Sequence, residues 1–103
     1  MLEVVRDESR VLVKIERNII ASNIDELGQE LKDLLREEVT DLVIDLSRVE
    51  IIDSSGLKLL IGTQHSLAKA NGRLSIINAS KNIIKLFKSM RLDQHIRLID
   101  EQI

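Results

Sequence analysis

Cysteine, proline, tryptophan and tyrosine are absent from this 103-residue chain, and Phe87 is its only aromatic residue. Without cysteine there is no disulfide framework and no thiolate metal site. That suits a reducing cytosol, and a cytoplasmic location is expected. Without aromatics the chain lacks the platforms on which single-stranded nucleic acids stack. A net charge of −2 also disfavours a phosphate-backbone ligand. No apolar run approaches the roughly 20 residues that span a bilayer, so direct membrane insertion is not expected. Glu3, Arg6, Asp7, Glu8 and Arg10 interrupt any apolar core of a secretory signal. Low-complexity segments, internal repeats and linkers are missing too.

What is present fits one folded domain over residues 1–103. Apolar residues make up 44% of the chain and charged residues 31%, a balance typical of a packed domain. The charges are unevenly placed. Acidic residues outnumber basic ones two to one from Met1 to Asp53. From Ser54 to Leu98, Asp93 is the single acid among eight basic residues. Such a run is either a set of solvated helix faces or a docking face for an acidic partner.

Periodicity lays out the elements. Leu2–Val5 and Val11–Ile15 read as a strand pair around Asp7-Glu8-Ser9-Arg10. Ser22 and Asn23 are candidate caps for a helix carrying Ile24, Leu27, Leu31, Leu34 and Leu35, with Asp25 and Glu26 in a capping-box arrangement. That helix is expected to end near Glu38. Leu42-Val43-Ile44 is a short apolar run, as in a strand buried on both faces. A second helix carries Leu57, Leu60, Ile61, Gln64, Leu67 and Ala68 and stops at Asn71-Gly72. A strand over Arg73–Asn78 follows. Ser80 then caps a third helix with Ile83, Ile84, Phe87 and Met90 on one face, the first and third helices supplying the main apolar stripes. Ile96–Ile99 closes as a weak strand or a tail. The order predicts an α/β domain: a mixed sheet of four to five strands covered by about three helices.

Between a strand and the second helix stands Asp53-Ser54-Ser55-Gly56. In one reading Ser54 or Ser55 is an N-cap, Asp53 favours the helix dipole and Gly56 permits a tight turn. In the other, a serine at a helix N-terminus is a phosphorylation switch, since phosphate adds about −1.5 to −2 charges at neutral pH.

The segment "DLSRVEIIDSSGLKLLIG", Asp45–Gly62, resembles the STAS domains, and among them the bacterial anti-sigma factor antagonists. "ANGRLSIINAS" and "IIKLFKSMRLDQHIRL" are similar to the family's later strand and last helix. The resemblance implies the STAS fold and a binding switch with no catalysis and no cofactor. It implies that Ser54 is phosphorylated by an anti-sigma factor that is also a serine kinase, and reset by a serine phosphatase. The unphosphorylated form would bind the anti-sigma factor and release its sigma factor. Asp53, Ser55, Gly56, Leu57 and Lys58 would form the partner-binding surface around Ser54. Three positions depart from the family pattern. Ile20 replaces a loop aspartate, Lys58 a small residue, and Arg91 a glycine after the last helix. The alternative is a STAS adaptor in another partner-switching or membrane-lipid transport system.

Other chemistry finds little support. A nucleophile elbow needs G-x-S-x-G, but Ile52 precedes Asp53 and no glycine flanks Ser54 on that side. His65 and His95 are candidate bases, and their positions point to surface or structural roles. Neither they nor the carboxylates form a metal-ligand spacing.

Overall fold

The computed structural model describes residues 2–99. Strands β1 (Leu2–Asp7) and β2 (Arg10–Ile15) form an antiparallel hairpin. Helix α1 (Ile24–Leu35), β3 (Asp41–Asp45), α2 (Ser54–Lys69), β4 (Arg73–Ile77), α3 (Lys81–Ser89) and β5 (Arg97–Ile99) follow. The sheet order is β1-β2-β3-β4-β5, parallel from β2 onward. The strand order advances in one direction, and parallel crossovers are right-handed. All three helices must therefore cover the same face.

Register shows which face. Val11 lies beside Leu42 and Leu42 beside Leu74; Val13 lies beside Ile44 and Ile44 beside Ile76. These six join Leu27 and Leu31 of α1, Leu57, Leu60 and Leu67 of α2, and Ile83 and Phe87 of α3 in one core. Val43 is buried as expected, but it belongs to the opposite face and lies outside that core. There it lines a shallow groove with Val5, Leu12, Ile77 and Ile99.

Several expectations need correction. The hairpin has a two-residue connection, Glu8-Ser9, with Glu8 at φ 57° in place of the missing glycine. Helix α1 ends at Leu35, three residues short of Glu38. A single 3₁₀ turn, Ala21–Asn23, precedes it, and the Asn23 side chain makes no cap bond. Asn23 Oδ1 instead accepts from Ile20 N at 3.1 Å. At the end of α2 the left-handed residue is Asn71 (φ 59°). Gly72 serves close approach: a Cβ there would lie 2.6 Å from the Thr40 carbonyl oxygen. Ser80 does cap α3, its Oγ accepting from Ile83 N at 3.2 Å. Met90 is half exposed rather than on the buried face. Helix α2 buries as fully as the other two, with Leu57, Leu60, Thr63 and Leu67 inward.

Candidate functional site

Two loops meet at the carboxyl ends of β2 and β3, and the Asp53-Ser54-Ser55-Gly56 segment sits where they join. Ile19 N donates to Ile51 O at 3.0 Å, and Asp53 N donates to Ile19 O at 3.2 Å. This makes a one-residue parallel bridge between Ile19 and Ile52, both buried. Asn18 reinforces it, since its Oδ1 accepts from Glu50 N at 2.8 Å and Ile51 N at 3.0 Å. Asn23 Nδ2 in turn donates to Asn18 O at 2.6 Å. The backbone of the first loop is thereby fixed against that of the second.

Asp53 completes the join. One carboxylate oxygen, Oδ1, accepts from Gly56 N at 3.0 Å and caps α2. The other, Oδ2, accepts from Ala21 N at 2.9 Å, across to the first loop. These backbone donors, Gly56 first and Ala21 second, hold its carboxyl below the ordinary aspartate range.

The N-cap is therefore Asp53, not Ser54 or Ser55. Ser54 is the first residue of α2 and exposed. Its hydroxyl makes no hydrogen bond among the described residues, and neither does that of Ser55. The capping reading assigned these hydroxyls a local task that the structure gives to the preceding carboxylate.

The expected surface divides in two. Asp53 and Ser55 are half-buried, and Lys58 is exposed one turn beyond Ser54. Gly56 and Leu57 turn inward, so they are scaffold rather than surface. Gly56 has no positive φ, and its role is not a tight turn. A Cβ there would overlap the Ile19 carbonyl oxygen and lie 2.8 Å from Ile19 Cγ2 and Ile52 Cγ2. Only glycine lets α2 start this close to the bridge.

Sequence reasoning missed Asn18 and Ile51. Asn18 works through partners 32 and 33 residues away. Ile51 is 56% exposed two residues before Asp53. The one available signal was an isoleucine beside a polar motif. Lys58 also borders a groove of about 620 Å³ between α1 and α2, where Gly28 and Gly62 leave room.

The histidines do not approach the motif. Both are exposed, and His65 lies eleven residues along α2 from Ser54, about 16 Å at helical rise. Three or more metal-ligating side chains do not cluster anywhere among the described residues. No helix among them is long and apolar enough to cross a membrane.

The STAS domain family matches residues 1–102. The anti-sigma-B factor antagonist of Bacillus subtilis is 33% identical over 86 residues, covering 84% of this chain and 78% of that protein. The crystal structure of an anti-sigma factor antagonist from Mycobacterium paratuberculosis superposes with a TM-score of 0.86 at 25% identity, covering 98% of this chain and 86% of that one. The Bacillus cell fate determinant SpoIIAA in its phosphorylated form gives 0.75 at 18% identity, over 98% and 93% of the two chains. At 18% the likeness is one of fold.

Proposed function

The chain belongs to the STAS domain family, and from that premise we propose that it is a phosphorylation-switched anti-sigma factor antagonist. Unphosphorylated, it binds a serine-kinase anti-sigma factor in the cytoplasm and releases the sigma factor. Phosphorylation of Ser54 ends that binding, and a serine phosphatase restores it. The protein itself performs no catalysis. The names of its relatives support this reading.

The observation that carries the site is the division of labour at the start of α2. Asp53 caps the helix, which leaves the Ser54 hydroxyl exposed and without a bond among the described residues. The kinase transfers the γ-phosphoryl group of ATP to Ser54 Oγ; the hydroxyl proton departs and ADP leaves. A phosphate at a helix N-terminus is ordinarily absorbed by free backbone donors and the dipole. Here Gly56 N already serves Asp53, and Asp53 contributes a charge of its own. The added charge stays at the surface beside a carboxylate, where it repels an acidic partner. The fold is retained and the contact is lost.

Incubation with ATP and the serine-kinase anti-sigma factor of the same genome tests this. Phosphate is expected on Ser54 by peptide mass spectrometry. Ser54→Ala should take up none and unfold within about 0.5 kcal/mol of wild type, as an exposed position without a bond should. Ser54→Asp should bind the kinase weakly. Full labelling of Ser54→Ala, or equal binding by Ser54→Asp, overturns the proposal.

A further inference from the structure

Helix α3 is held through its inner face, where Ile83 and Phe87 are buried. Its outer face carries Lys81, Lys85 and Lys88, all exposed. Their i, i+4, i+7 spacing confines them to a strip roughly 60° wide. Exposed Arg91 follows in the turn after the helix. Helix α3 contains no acidic residue. None of the four cations joins an ion pair among the described residues, where Arg6, Arg10 and Arg36 are the only cations that do.

Of these cations only Lys88, in the last turn of α3, suits the helix dipole. Lys81 is the first residue of α3, at the positive end of the helix dipole. Lys81 and Lys85, then Lys85 and Lys88, are like charges at neighbouring helical positions. Arg91 adopts φ 58°, a left-handed conformation that glycine accepts at far less cost. These unfavourable placements thus gather on one helix and the turn that follows it. The strip also begins at the pole that presents Ser54, because α2 and α3 start from the carboxyl ends of the parallel neighbours β3 and β4.

We infer that Lys81, Lys85, Lys88 and Arg91 form a docking strip for an acidic surface of the anti-sigma factor that Ser54 controls. The inference rests on the function proposed above. An acidic partner accounts for both halves of the switch: it is attracted by the α3 strip and repelled by a phosphate beside Asp53. Other occupants fit less well. The chain has no tryptophan or tyrosine to anchor the strip at a membrane interface. In a second copy, the acids of α1 are interspersed with Lys32 and Arg36, so no purely acidic face faces the strip.

Association with the serine-kinase anti-sigma factor is measured by stopped flow at low and at physiological salt. The panel is wild type, Ser54→Asp, Lys85→Glu/Lys88→Glu, the milder Lys85→Gln/Lys88→Gln, and Arg91→Gly, each checked for folding by circular dichroism. The double reversal should slow association about tenfold or more at low salt and flatten its salt dependence. The glutamine pair should fall between it and wild type. Arg91→Gly should slow association while melting no lower than wild type. Unchanged rates for both double variants, with Ser54→Asp still binding more weakly than wild type, overturn the strip and leave the proposed function standing. Failure of wild type to bind overturns both. Sedimentation of wild type with phosphatidylserine vesicles, lost in the double reversal while kinase binding is unaffected, assigns the strip to a membrane and also overturns the inference.

Discussion

Asp53 joins two loops with one carboxylate, and protonation should undo part of the join. Its folded pKa is depressed by the Gly56 and Ala21 N–H donors. A depressed carboxylate contributes stability above its unfolded pKa, near the reference 3.8, and loses it as pH falls through the folded value. In Asp53→Asn one oxygen can still cap Gly56 N, but the amide nitrogen cannot accept from Ala21 N. Wild type should melt above Asp53→Asn at neutral pH, and the gap should close below about pH 4. A gap that ignores pH would mean that the charge does not matter. Gly56 acts by volume alone. Its missing Cβ makes room for the Ile19 carbonyl, so Gly56→Ala must push α2 off the bridge. Overpacking of this kind costs about 1–3 kcal/mol or more, readable by urea titration. The motif was legible in the sequence, but the roles inside it were not. Aspartate and serine rank alike as caps, so composition could not choose between Asp53 and Ser54. Gly56 looked like a turn residue because its neighbour Ile19 lies 37 positions away in the chain.

Helix α2 places Ser54 and Lys58 one turn apart, and Lys58 is free for one of two tasks. It stands at the rim of whatever docks over Ser54, or it offsets the phosphate within the helix at i, i+4. A rim charge alters association rate and its salt dependence. Lys58→Glu should therefore slow partner association, and the effect should shrink with salt as screening shortens to about 8 Å at physiological ionic strength. Were Lys58 the intrahelical counterion, its removal would chiefly lower the melting temperature of the phosphorylated form. Comparing Lys58→Glu and Lys58→Ala with and without phosphate separates the two tasks. Elements with strong periodicity were read correctly: the α1 stripe, the α2 stripe, the Ser80 cap and the β3 run all stand where the pattern put them. The failures were at ends. The α1 entry is governed by Asn18, Asn23 and Asp53 acting across loops, and no local capping rule contains that information.

For the whole molecule, strand order decides where a signal at Ser54 can reach. One-directional winding puts every helix on one face and every helix N-terminus at one pole. That topology was implied by the β-β-α-β-α-β-α order. The Leu42-Val43-Ile44 run suggested a strand buried on both faces, and all three residues are buried, although Val43 stands outside the main core, which the run alone could not show. The Ser54 pole is tied by hydrogen bonds that the side chains of Asn18, Asn23, Asp45, Asp53 and Asn78 make to the adjoining loops. Beneath them lies a close-packed layer containing Ile19, Leu46 and Ile52. A charge added outside such a layer shifts local fields but has no bistable element to move. Phosphorylation of Ser54 should therefore change backbone amide shifts in residues 18–23, 45–58 and 78–81. Gly72, Arg73 and His95, at the opposite pole, should keep theirs. Heteronuclear NMR of the two forms measures this directly. Shifts spread evenly over both poles would mean that the switch works by changing the fold, and the surface-charge account of Ser54 would have to be abandoned.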